Sequence, residues 1–411
     1  MLLTNLALAG QEGRPLSYSR NKSHKYADVS FDRVLSGVER IVRADLATEH
    51  RAKPGSRGWQ STLYCTQALS DMFKTHGVRP VYAPAPPIIL RSRKDRSLMT
   101  LPPMKQKLRQ IHRVNEMLDS LSVGLSETGV LRLENGLLLF ERLEYDAWER
   151  PQLVQQRLRL DRMAGRRVFT SDTKHHGRFY CPAQSLPGAA RLAMTLNAEP
   201  VVELDFVSMH VALAYAALGT MMPENLYEVP GFTREQGKRG LLTAFNATSP
   251  DAAVAALTDA RNGKPVVRTR DEARRLLAGL EARHPAIADA KMLCSDAGMR
   301  LMFKDSQIML AAVDRLIAKG IPCIPVHDSL VVSARFEGEA REALCFGWYT
   351  QNPELTHCEI EKKRQKPLQD GSGSGVGGPS SFVASIACLD VGEWAFSSDG
   401  LVRSVVGVCL I

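Results

Sequence analysis

Several protein classes are excluded by what this 411-residue chain lacks. Its eight cysteines (Cys65, Cys181, Cys294, Cys323, Cys345, Cys358, Cys388 and Cys409) stand singly, with no Cys-x-x-Cys pair. That removes the common zinc-site spacing and a compact disulfide framework, and a reduced cytoplasmic chain is the simple expectation. No segment reaches the ~18 consecutive apolar residues of a membrane helix. The opening Met1-Leu-Leu-Thr-Asn-Leu-Ala-Leu-Ala9 has no basic region before its short apolar run, so it makes a poor signal peptide and no membrane partner is expected. No repeat of 20–50 residues is present, which excludes solenoids and propellers. With 44% hydrophobic and 24% charged residues, the composition excludes disorder and collagen, and the length suits two or three domains.

What is present is an uneven charge. The net +9 conceals 31 Lys+Arg against 19 Asp+Glu in residues 1–200, or +12, leaving −3 for residues 201–411. The basic half suits a polyanion, and an acidic-leaning second half suits carboxylates that hold metal. Residues 51–113 contain 13 Lys/Arg and two acids, with Trp59, Tyr64 and Phe73 as stacking or core groups. The prolines of Tyr82-Ala-Pro-Ala-Pro-Pro-Ile-Ile-Leu90 read as an extended connector. Apolar spacing predicts a helix from Met104 to about Leu121, with Leu108, Ile111, Val114 and Leu118 inward. Its outward Lys105 and Arg109 suit a phosphate backbone, and Asn115 on the same helix is a candidate to face a template. A second helix is expected over about Ala147–Met163.

Five regions follow from this pattern: a basic, nucleic-acid-binding region (1–175), a catalytic core (176–345), the end of that core (346–370), a Gly/Ser linker (371–381) and a tail without a functional reading (382–411).

Two segments carry the candidate chemistry. Val201-Val-Glu-Leu-Asp-Phe206 is a β-type run ending near Asp205 and followed by a helical pattern through Met209, Leu213, Ala216 and Ala217. Ile321-Pro-Cys-Ile-Pro-Val-His-Asp-Ser-Leu-Val-Val-Ser333 reads as a hairpin with His327 and Asp328 near its tip. Two aspartates brought together at strand ends are able to hold two divalent ions, which activate an attacking oxygen and stabilise a leaving one in phosphoryl transfer. His327-Asp328-Ser329 is no hydrolase triad, because adjacent strand residues face opposite ways. Between the two segments, Thr233 and Gln236 form a capping box that starts a helix at Arg234. Arg234, Lys238, Leu242 and Asn246 then share one face, and its two cations suit a triphosphate.

Taken in order, His176-Gly177-Arg178, Gln184 to Pro187, Asp205, Arg234-x3-Lys238 and Val326-His327-Asp328 resemble the catalytic core of family A, DNA polymerase I-like enzymes. The resemblance covers roughly residues 176–333. It implies a mixed α/β (α+β) right-hand fold, with an antiparallel palm sheet, helical fingers and a thumb-like N-terminal region. It further implies template-directed transfer of dNMP to a primer 3′-OH, with a DNA primer-template and nucleoside triphosphates as partners. Two Mg²⁺, or Mn²⁺ in their place, would lie on Asp205 and Asp328. His327 would adjoin the primer end, and Arg178 and Gln184 would contact nucleic acid. His210 stands where the family selects the sugar, Leu242 at the apolar fingers position, and Asn246 where a Tyr is usual.

Ser329 after the second aspartate is similar to the single-subunit phage-type RNA polymerases, so an RNA polymerase or primase is the alternative. A catalytically inactive nucleic-acid-binding relative and a two-metal nuclease are further alternatives. Residues 1–175 contain no Asp-x-Glu, so the family's proofreading exonuclease is not expected.

Overall fold

The computed structural model describes residues 2–11, 15–20, 30–51, 61–78, 86–94, 97–126, 131–134, 137–145, 151–160, 163–259, 265–352 and 358–363. Trp59, the first four residues of the proline-rich connector (82–85), the Gly/Ser stretch and the tail lie outside these residues. The described residues form a mixed α+β structure whose sheets are mainly antiparallel. None of their helices is long and apolar enough to cross a membrane.

The chain divides into two units, one built from residues 1–86 and 139–158 and the other from residues 87–138 and 159–363 of the described chain. The chain thus passes between the units near Pro86 and again near Leu138 and Leu158. In the first unit, helices Leu2–Gln11, Phe31–Arg43 and Gln67–Thr75 accompany a three-stranded antiparallel sheet with Ser61–Cys65 in the middle. Leu6, Tyr18, Val38, Ile41, Leu63 and Leu69 make its core. Phe73 packs against that core, whereas Tyr64 is 42% exposed and lies against His50, with ring centroids 4.8 Å apart.

Pro151–Arg159 is a strand, not the expected helix. Leu158 and Leu160 are both buried, the two-residue period of a β-strand, and this pattern outweighs the helix-favouring Gln and Arg around them.

In the second unit, a sheet runs in the order Cys323–Val326, Ser329–Ser333, Glu199–Phe206, Met194–Leu196 and Val123–Leu125. The strand Ile360–Lys362 pairs with the far end of Glu199–Phe206, along Leu204 to Phe206. A smaller sheet places Arg166–Thr170 between Asp172–Tyr180 and Ile88–Arg91, the latter running parallel to it. Ile88, Ile89 and Leu90 are buried, so the end of the proline-rich segment is a core strand and not a connector.

The helix Ala297–Ala318 is the longest, at 22 residues, and packs on both Glu337–Gln351 and the Asp172–Tyr180 strand. The basic helix spans Lys105–Asp119 and buries Ile111, Val114 and Leu118 as expected. Leu108, however, is 37% exposed: it lies one turn before Ile111, where the helix starts and lacks a side-chain cap.

Candidate active site

Strand pairing alone brings the two aspartates together. Asp205 is in register with Ser329, and the Phe206 N–H donates to the Asp328 carbonyl at 3.3 Å. Val326 and Ser329 close the hairpin around a two-residue turn in which His327 takes a φ of +54°. A positive φ at the first turn residue matches the strand twist of a tight hairpin, but it strains a residue that carries a Cβ. The turn thus places Asp328 beside the Asp205 strand.

Glu203 and Asp205 are two residues apart in one strand and so face the same way. Glu203 is fully buried, and Arg191 grips it in bidentate fashion, Nε to Oε2 at 2.9 Å and a terminal nitrogen to Oε1 at 2.8 Å. The Ser329 hydroxyl donates to the same carboxylate at 2.8 Å. Burial alone would raise the Glu203 carboxyl, but Arg191 and then Lys363 bring it down to about 2.

Lys363 follows the Ile360–Lys362 strand. Its ammonium lies 2.7 Å from Glu203 Oε1 and 3.1 Å from Asp205 Oδ2. Asp205 Oδ1 is buried without a hydrogen-bond partner. Burial first, and then repulsion from Asp328, push the Asp205 carboxyl up to about 7, Lys363 offsetting only part of this. Asp328 shifts the other way: Arg178, His210 and His327 outweigh its burial and lower it. Of the two carboxyls, Asp205 is therefore the more readily protonated.

Behind the pair lies a second charged layer. Arg178 donates through Nε to Asp305 Oδ2 at 2.6 Å and through a terminal nitrogen to His210 Nε2 at 3.1 Å. Burial raises Asp305 to about 6, opposed by Arg178. Burial and Arg178 lower both His210 and His327 to about 3, so both rings are neutral at physiological pH. Because Arg178 donates to Nε2, His210 carries its proton on Nδ1, a buried atom without a partner. His327 packs edge-on to Tyr180, whose hydroxyl lies 2.7 Å from His176 Nε2.

The helix Arg234–Asn246 begins with the expected Thr233–Gln236 capping box, both hydrogen bonds present. Its approach needs Gly237: a Cβ there would come within 2.0 Å of the Tyr227 carbonyl oxygen. Arg234 lies over the Tyr227 ring at 5.2 Å, and the Tyr227 hydroxyl donates to Ser208 Oγ at 2.9 Å, three residues beyond Asp205. Arg234 is exposed, and Lys238 and Leu242 are half-buried. Asn246 donates to the Leu242 carbonyl at 2.8 Å, and its other amide atom, Oδ1, is buried beside Gly298.

The remaining expected residues divide between surface and interior. On the basic helix, Lys107 lies over the Phe169 and Phe303 rings and Arg113 pairs with Asp314 at 3.0 Å, while Lys105 and Arg109 are exposed. Asn115 does not face outward to a template: it exchanges hydrogen bonds with the Gly165 backbone at 2.9 and 3.0 Å. Gln184 donates to the Phe179 carbonyl at 2.7 Å and lies 3.4 Å from that of Pro325, tying the hairpin to the neighbouring strand. Arg178 is 6% exposed, with its guanidinium on Asp305 and His210.

Sequence reasoning missed four members of the cluster: Glu203, Arg191, Asp305 and Lys363. Two had a signal. Glu203 is a charge inside an apolar strand, and Asp305 falls in a buried stripe with Leu301, Met302, Ile308 and Met309. Lys363 stands in a run of charges and had none.

The donor set suits a hard divalent cation. Two carboxylates, that of Asp205 with a partnerless oxygen, meet the preference of Mg²⁺, which takes one or two carboxylates and completes its shell with water and substrate phosphate. Among the described residues no group of three or more His, Cys, Asp or Glu side chains forms a self-sufficient metal site. No protein-family model matches the chain, and no curated protein matches it.

Proposed function

We propose that the chain is a template-directed DNA polymerase of the right-hand type, without a proofreading exonuclease. The observation that supports this most is the Asp205/Asp328 pair, held by a strand and the hairpin turn beside it so that one carboxylate opposes ionisation of the other. A purely structural role would not call for that repulsion. The sequence resemblance and the capped Arg234–Asn246 helix support the same reading.

In this reading Glu199–Phe206 and the hairpin form the palm, and the Arg234–Asn246 helix belongs to the fingers. Asp205 and Asp328 would hold Mg²⁺, which supplies activation of the 3′-OH and neutralisation of the triphosphate. Arg234 and Lys238 bind the triphosphate oxygens, the first as a planar fork and the second as a compact point charge. His210, neutral and fixed by Arg178, would limit the space for the sugar of the incoming nucleotide by its bulk. Arg178 and Gln184 act as braces: one orients His210 and the other secures the hairpin. Lys105 and Arg109 contact the phosphate backbone.

Primer extension on a DNA template with Mg²⁺, offering dNTPs or NTPs in parallel, tests this. The expected outcome is dNTP-dependent growth of the primer, abolished in Asp205→Asn and Asp328→Asn while DNA binding persists. Unimpaired extension by either variant would refute the mechanism. Extension with NTPs alone would move the assignment to an RNA polymerase, and shortening of the labelled strand to a nuclease.

A further inference from the structure

Lys363 occupies a position that the polymerase reading does not use. Its backbone N–H donates to the Glu203 carbonyl at 2.9 Å, continuing the pairing of Ile360–Lys362 with the Asp205 strand. The side chain is 31% exposed and ends between two carboxylates, 2.7 Å from Glu203 Oε1 and 3.1 Å from Asp205 Oδ2. These two attachments are unequal. Glu203 already has Arg191 and Ser329, and it lies closer to the ammonium. Asp205 has only its Oδ2 on the ammonium, and its Oδ1 has no hydrogen-bond partner among the described residues.

We propose that the Lys363 ammonium is a resident competitor for the cation position on Asp205, bridging it to Glu203 until a divalent ion draws the Asp205 carboxylate away. This deepens the polymerase reading and rests on Asp205 as a cation ligand. A Mg²⁺ or Mn²⁺ ion held by Asp205 would take the carboxylate that the ammonium now contacts. An ammonium retained on the same carboxylate would then oppose it at close range, in a partly buried site where water screens the repulsion only in part. Lys363 has a second carboxylate to keep, so it releases Asp205 without becoming a stranded charge. The arrangement lowers divalent affinity and keeps Asp205 in place when no ion is bound.

The test is Mn²⁺ binding to the full chain, followed by electron paramagnetic resonance without DNA or nucleotide. Lys363→Met should bind Mn²⁺ about tenfold or more tightly than the wild type, as expected for deleting one like charge beside the ligand. Lys363→Arg should bind like the wild type, and Asp205→Asn should lose the site. Equal affinity in Lys363→Met, or no Mn²⁺ binding by the wild type, overturns the proposal.

A second measurement needs no substitution. Acetylation of native wild-type protein, read by peptide mass, should modify Lys363 several-fold faster with Mn²⁺ than without, because the ammonium then has one carboxylate instead of two. An unchanged or slower rate overturns the proposal. The two readings fail separately. Mn²⁺ competition without primer extension removes only the polymerase, and extension with equal Mn²⁺ affinity removes only the competitor.

Discussion

Glu203 has no exposed surface and still ionises, because Arg191, Ser329 and Lys363 all donate to its two oxygens. Breaking such a pair from one side leaves a buried guanidinium uncompensated. Glu203→Gln is therefore expected to lose about 3–5 kcal/mol of stability, measured by urea unfolding at pH 7. The pH dependence follows from the sign of the shift: the folded carboxyl lies near 2, below its ordinary 4.5, so its contribution is complete above 4.5 and lost as pH falls through about 2. The gap between wild type and Glu203→Gln should be full at pH 6 and narrow steadily below pH 4.5. A gap that widens on acidification would contradict an ionised Glu203.

At the scale of elements, the helix Arg234–Asn246 depends on a missing side chain. Gly237→Ala would set a methyl group against the Tyr227 carbonyl, which is backbone and cannot rotate away. The expected cost is about 1–3 kcal/mol despite the better helix propensity of Ala, together, in the polymerase reading, with a higher KM for dNTP as Lys238 moves. A more stable variant with unchanged KM would contradict that close approach. The capping box and the hairpin were legible because each is a local rule: a hydroxyl three residues before a Gln, and two apolar β-runs around His327-Asp328. Asp205 and Asp328 could be chosen for the same reason. Arg178 could be picked out but not its use, since its partner Asp305 is 127 residues away in a helix whose periodicity shows burial and not pairing. Leu108 and the Pro151–Arg159 strand went astray where the pattern was short or mixed and tertiary packing decided the outcome.

For the whole molecule, a net charge of +9 means that a polyanion is attracted before any specific contact forms. In the polymerase reading, DNA affinity should fall linearly with salt on a log–log scale, by roughly 0.9 in slope for each phosphate neutralised. Lys105→Glu with Arg109→Glu should reduce that slope by about 1–2, while Asp205→Asn leaves it unchanged, as followed by fluorescence anisotropy. A slope unmoved by the double charge reversal would take those two cations off the binding surface. The assignment is selective because Lys107 and Arg113 on the same helix are engaged within the fold.

The pairing of Ile360–Lys362 with Leu204–Phe206 also has a consequence in time. A ribosome delivers the His327–Asp328 hairpin before it delivers the strand that flanks Asp205 on the other side. At roughly 5–20 residues per second, the interval between Asp328 and Lys363 lasts about 2–7 s. Throughout it the Asp205 strand has an open edge and its carboxylates lack their ammonium, so the nascent chain is most exposed to mispairing just as its chemistry is being assembled.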